Sequence, residues 1–179
     1  PLAEWLGELG APTLNTTPGG GGRLKLLGYQ KVQYASNWKG YNDNDGYHGG
    51  LLHTAFRMLN FQGGQGTQRM SVNGHWIIEA ELKPAQNTGF LNDPSLIDFK
   101  ATDPKRGSLI VQLYPLTVMV KHMDVMNLRF AIARDHEVTE VHYACFAHED
   151  DDADLLQHRI RQASNLLGPC GMVSMEDAA

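Results

Sequence analysis

From Val138 to His148 the side chains alternate with a period of two. Val141, Tyr143, Cys145 and Ala147 fall on one face, and Glu140, His142, Phe146 and His148 on the other. A helix would scatter both sets around its circumference, so this stretch is constrained to be a strand. Asn127 to Ala133 repeats the pattern, with Leu128, Phe130 and Ile132 against Arg129 and Ala131, and Asp135-His136 supplies a turn between the two. Two long strands joined by a tight turn need neighbours to cover their apolar faces, which commits the chain to a sheet.

Further strands are legible upstream. Residues 23–35 alternate, with Leu24, Leu26, Val32 and Tyr34 opposite Lys25, Lys31 and Gln33, and with a bend expected at Gly28. TQRMSV and HWIIEAEL flank Asn73-Gly74, which predicts a two-residue hairpin turn with Val72 opposite His75, Ser71 opposite Trp76 and Met70 opposite Ile77. Residues 108–114 and 116–121 form an apolar run in which Pro115 points to an edge or a bulge. The connection 84–107 is rich in Pro, Asn, Asp and Gly, with an apolar patch at Leu96, Ile97 and Phe99.

Helical spacing is sparser. Leu2, Trp5, Leu6 and Leu9 predict a short helix that packs Trp5 inward, and residues 51–61 favour helix over strand. An acidic run at 149–154 precedes a helix expected over 151–167, with Leu155, Ile160, Ala163 and Leu167 as its buried stripe and Gly168-Pro169 as its stop. The fold class read from these elements is mainly β, α+β at the margin: an antiparallel sandwich or barrel of about six to eight strands with a short N-terminal helix and one C-terminal helix. Residues 1–22 read as an arm ending in a Gly-rich linker, and 23–179 as a single β-rich domain.

Composition narrows the function. Fifteen basic against twenty acidic residues, a formal charge of −5, argue against neutralising nucleic-acid phosphates as the main task. No apolar run has membrane-spanning length, so no membrane partner is expected and the chain as given reads as soluble. Cys145 and Cys170 could make one bridge at most. Pro1 fits removal of an initiator Met. An N-terminal proline is also what ribosome skipping at a viral 2A-type sequence leaves behind.

The most distinctive stretch is SNWKGYNDNDGYHGG, residues 36–50, expected as a loop. Its DNDG run resembles an EF-hand until the positions are counted: with Gly46 at the sixth place, Tyr41 takes the first ligand position and Leu52 the last, where a bidentate Glu is needed. Aromatic residues on a polar, glycine-rich frame suit recognition, so Trp38, Tyr41, Asn42, Asp43, Asp45 and Tyr47 are the candidate binding or interface residues.

The metal and nucleophile patterns fail on spacing. His122-Met-Asp124 has the H-x-D spacing of a two-His-one-carboxylate iron site, but the histidines available as a third ligand, His136, His142, His148 and His158, do not follow the expected strand order. His142, Cys145 and His148 are zinc-type ligands, yet on a strand Cys145 points away from the two histidines, which stand about 20 Å apart. Glu140 and His142 read equally as an acid–base pair or a solvated face. The Gly-Pro-Cys170-Gly run resembles the nucleophile loop of viral chymotrypsin-like cysteine proteases, but only nine residues follow Cys170.

With each catalytic pattern failing, the expectation is a non-enzymatic structural or assembly subunit, a virus-particle or capsid component in its most concrete form. It would hold no cofactor or metal and would contact copies of itself or other protein subunits through its loops and arm. Two alternatives stand beside it: a carbohydrate-binding module that takes a glycan on the aromatic loop 36–50, and a metal-dependent enzyme with a His/Asp site at His122 and Asp124.

Overall fold

The alternating segments pair into one antiparallel sheet. The computed structural model describes residues 1–9, 22–43, 53–59 and 66–178. Within them lie β1 (Leu24–Tyr34), β2 (Gly66–Met70), β3 (Trp76–Ala80), β4 (Ser108–Leu113), β5 (Thr117–His122), β6 (Val125–Ala133) and β7 (Thr139–His148). Their order is β1-β7-β6-β5-β4-β3-β2, a meander from β2 to β7 with β1 added beside β7. The fold is therefore β-rich and antiparallel, as the alternation requires, with its seven strands in a single sheet. The expected Gly-rich linker falls almost wholly outside the described residues.

Cross-strand register sorts the side chains into two faces. Trp76, Gln112, Val118, Arg129 and Tyr143 stand in one row across β3, β4, β5, β6 and β7, and Ile78, Ile110, Val120 and Asn127 form the next row on that face. The opposite face carries Ile77, Val111, Met119 and Leu128, capped by Leu9 from the N-terminal segment. That segment is a short helix α1 (Leu2–Leu6) and a 3-10 turn over Gly7–Leu9. Leu6 and Leu9 are its buried residues, whereas Trp5 stays 41% exposed, edge-on to His75. The expectation that Trp5 packs inward is corrected accordingly.

Three local expectations also shift. Met70 pairs with Trp76, and Ser71 N–H donates to the His75 carbonyl, so the hairpin loop is the three residues Val72, Asn73 and Gly74. Gly74 sits at φ 81, the left-handed position that closes a type I turn of this length. Pro115 lies in the turn between β4 and β5, two interior strands, so it marks neither an edge nor a bulge. In β1 a register shift between Leu26 and Gly28 flips the alternation, exposing Leu26 and turning Leu27 to the core.

Helices cover the first face. α2 (Trp38–Asp43) and α3 (Thr54–Leu59) follow β1, and α4 (Ala153–Asn165) and α5 (Met172–Asp177) follow β7, so two C-terminal helices stand where one was expected. Asp152 caps α4 by accepting from Leu155 N–H at 2.8 Å. The buried stripe of α4 is His158, Arg159, Gln162 and Ala163 rather than the apolar set, and Ile160 is exposed. Polar residues can be buried there because each finds a partner: Gln162 Nε2 donates to the carbonyls of Leu96 (2.8 Å) and Asp98 (2.9 Å), and Arg159 Nε donates to Asp151 (2.7 Å). Gly168 ends this region with no room for a side chain, since a Cβ would come within 2.3 Å of the Ala163 carbonyl. Among the described residues no helix is long and apolar enough to cross a membrane.

Asp124 pins the long connection 84–107 to this helix. Its carboxylate is fully buried and accepts backbone N–H from Lys100 (2.7 Å), Ala101 (3.1 Å) and Thr102 (2.8 Å), with His158 Nε2 at 3.3 Å. Asp124→Ala strands those donors, so it should cost about 3–5 kcal/mol. Urea unfolding measures this; a loss under about 1 kcal/mol would show that water or neighbours replace the carboxylate.

Candidate functional site

Between the first sheet face and helices α2, α3 and α5 lies a cavity of about 420 Å³. Its floor is apolar, built from Trp76, Ile78, Ile110, Val118 and Val120 of neighbouring strands. Size and lining are those of a small-molecule pocket with few polar groups. Those polar groups gather in two places.

The first is where α3 meets α5. His53, just ahead of α3, is buried and lies between two consecutive residues of α5: Nδ1 is 3.2 Å from Glu176 Oε2, and Nε2 is 3.3 Å from Asp177 Oδ1. Glu176 also accepts from Ala55 N–H at 3.2 Å, which fixes the start of α3 to the end of α5. Phe56 of α3 then stacks on His122 of β5 with their planes 6° apart and 5.9 Å between centroids. His122 Nδ1 meets Ser108 Oγ at 3.0 Å, and burial first, with Arg129 and His53 adding to it, lowers its pKa to about 3. It is a neutral imidazole at any physiological pH.

The second is the tyrosine wall. Tyr34 and Tyr143 share a hydroxyl–hydroxyl hydrogen bond at 3.2 Å, and Tyr41 of α2 lies 6.0 Å from Tyr34. Burial pushes the phenols of Tyr34 and Tyr41 well above the usual range, so both keep their protons. Arg129 projects from the same row of the sheet, with its guanidinium 5.0 Å from the Tyr143 ring. Nε donates to Asn127 Oδ1 (3.1 Å), Nη2 donates to the Leu167 carbonyl (3.3 Å), and Tyr41 is hydrogen-bonded to the same group.

The residues singled out from sequence are distributed unevenly over this picture. Residues 38–43 are helix rather than loop. Tyr41 lines the cavity, Asn42 accepts a hydrogen bond from the cavity residue Gln112, and Trp38 lies under the ammonium of Lys39 at 6.0 Å. Asp43 closes α2, and Asp45 and Tyr47 lie outside the described residues. His122 and Asp124 do not converge: Met123, at φ 53, turns the chain between them, so His122 faces the cavity while Asp124 is buried under residues 100–102. Glu140 and His142 make an ion cluster on the outer face with Arg134 (2.5 Å) and Lys31 (3.6 Å), and none of the four lines the cavity. Cys145 is buried, Cys170 is exposed, and both are free thiols.

Among the described residues no three His, Cys, Asp or Glu side chains form a complete metal site. His53 and Asp177 supply a pair, and its surroundings are those a metal ligand needs. One ring nitrogen is held by a carboxylate, the other points to a second carboxylate, and both sit at the wall of a largely apolar cavity. Neither residue stood out in the sequence, because they are 124 positions apart.

Residues 22–179 match the family described as ring hydroxylating alpha subunit (catalytic domain), and the chain belongs to that family. Relatives include the large oxygenase component of salicylate 5-hydroxylase from Ralstonia sp, 28% identical over 185 residues, and a terminal oxygenase component alpha subunit of terephthalate 1,2-dioxygenase from Comamonas sp, 26% identical over 176. The alignments cover 88% and 87% of this chain but only 42% of each relative, so the chain spans about two fifths of their length. A naphthalene 1,2-dioxygenase structure from Rhodococcus sp. superposes with a TM-score of 0.72 over 98% of this chain and 47% of that one; at 17% identity the likeness shows the fold alone.

Membership overturns the expectation of a non-enzymatic structural subunit, and the virus-particle and capsid readings with it: the family is one of enzyme catalytic domains. Of the readings weighed from sequence, the metal-dependent enzyme stands nearest, although His122 and Asp124 are not its centre. The glycan reading gains no support from these relatives.

The outer ion cluster gives a pH test. Hydrogen bonds from Arg134, then from His142, hold the Glu140 carboxyl at about 2, below its ordinary 4.5. A carboxyl depressed on folding stabilises the native state above its unfolded pKa, and that contribution fades as pH falls through the folded value. Glu140→Gln should therefore lower stability at pH 7, with the wild-type advantage intact down to about pH 4.5 and gone near pH 2. Urea unfolding of both proteins across that window checks it; a difference that does not shrink on acidification would refute the assignment.

Proposed function

We propose that this domain hydroxylates the ring of a small aromatic acid inside the cavity, at a non-haem iron held by His53 and Asp177. The observation that carries the reading is the His53–Asp177 pair, oriented by Glu176 at the wall of a cavity otherwise suited to an aromatic ring. Non-haem iron oxygenases use two histidines and one carboxylate, leaving open positions for their reactants. For the second histidine we nominate His48, which precedes His53 by five positions and lies outside the described residues.

An iron bound there would supply the dioxygen activation that ring hydroxylation requires. The protein's own residues do the rest. Glu176 fixes the tautomer and orientation of His53, as a carboxylate behind a metal-binding histidine does. Trp76, Ile78, Ile110, Val118 and Val120 exclude water and give a flat ring an apolar surface. Phe56 and the neutral His122 stack into a second aromatic wall. A cavity of about 150 Å³ already takes benzene, so 420 Å³ leaves room for a substituted ring.

Support for the substrate class comes from the relatives, since salicylate and terephthalate are both aromatic carboxylates. The relatives are named as components and subunits, which supports a multicomponent enzyme in which other protein subunits complete the activity. Substitution tests the centre. His48→Ala, His53→Ala and Asp177→Ala should each abolish stoichiometric iron uptake and hydroxylation in the full enzyme. Glu176→Gln should weaken iron affinity about 10–100-fold, and His142→Ala should leave both intact. Full iron loading in the His53 and Asp177 variants would remove the proposal.

A further inference from the structure

Among the described residues that line the cavity, Arg129 is the single arginine or lysine. Its polar partners are all neutral: an amide oxygen, a backbone carbonyl and a phenol, with the face of Tyr143 alongside. Among the described residues no carboxylate stands in ion-pair contact with it, and Asp177 reaches it only through its field. A cation in such surroundings is costly unless something pairs with it, so buried guanidinium groups normally meet an anion. These three partners leave donors over on a group whose five N–H form a planar fork. That fork matches a carboxylate, and Tyr34 and Tyr41, which keep their protons, stand beside it as further donors.

We infer that Arg129 is the specificity-determining residue of the cavity: it binds the carboxylate of the substrate end-on and so positions the ring between the sheet floor and the His53–Asp177 pair. This rests on the reading of the cavity as an aromatic-substrate site. Its position fits the role. Arg129 shares a cross-strand row with Gln112, Val118 and Tyr143, so a rigid sheet sets its height over the floor. Because His53 and Asp177 line the same cavity from the helical side, a carboxylate fixed at Arg129 determines which ring carbon faces them.

The test is calorimetric binding of benzoate and of nitrobenzene, a neutral ring of the same shape, to the full chain. Wild type should prefer benzoate by at least about tenfold. Arg129→Gln should lose at least about tenfold in benzoate affinity while nitrobenzene changes less than about threefold, and Arg129→Lys, which keeps the charge without the fork, should fall between. Equal affinities in wild type, or benzoate affinity unchanged in Arg129→Gln, would overturn the role of Arg129 and leave the aromatic cavity standing. If wild type binds neither ring, the parent reading falls and this inference with it. Should the glutamine variant fail to fold, the wild-type preference and its retention in Arg129→Lys decide the matter.

Discussion

His53 is clasped between two consecutive carboxylates of the last helix, and that clasp ties together two of the helices that cover the cavity. Glu176 ties one ring nitrogen and the first turn of α3 to α5, while Asp177 meets the other nitrogen. Both helices lie over the same sheet face, and Phe56, Leu59 and Val173 bury their apolar sides against Leu82, Val125 and Leu167. The packing that holds the helices down therefore also holds the imidazole and carboxylate in place. A site assembled this way is rigid without a disulfide or a long shared element.

Polarity across the cavity follows from the sheet. A strict period of two brings Trp76, Val118 and Val120 to the floor, and the same rows carry Arg129 and Tyr143 on the strands nearest β1. The covering side contributes the aromatic Phe56 and the His53–Asp177 pair, with Phe56 stacked on the neutral His122 at the end of β5. A molecule inside meets a cation with phenols at one end, apolar surface beneath, and a histidine–carboxylate pair on the covering side. Each feature is a consequence of which residue of a strand or helix faces inward.

The sheet was legible because alternation is a local signal. β6 and β7 follow it with their ends displaced by two residues or fewer, and the bend at Gly28 coincides with a register shift in β1. What went astray depended on partners distant in sequence. The stripe of α4 was expected among Leu155, Ile160, Ala163 and Leu167, but His158, Arg159 and Gln162 are inside because residues 96–98, Asp124 and Asp151 satisfy them. The site escaped for the same reason. His53 meets Glu176 and Asp177 across more than 120 positions, and nothing in the composition of residues 172–177 marks them as chemistry. H-x-D at 122–124 had the right spacing and the wrong geometry, since one residue of positive φ sends the two side chains apart. Tyr41, chosen for its aromatic character, does line the cavity, on a helix that the glycines around it concealed.

The most direct measurement is an anomalous difference map at the iron edge from crystals of the iron-loaded full chain. The account predicts one strong peak within coordination distance of His53 Nε2 and the Asp177 carboxylate. A peak at His122, or beside His142 and His148, with none at His53, would contradict it.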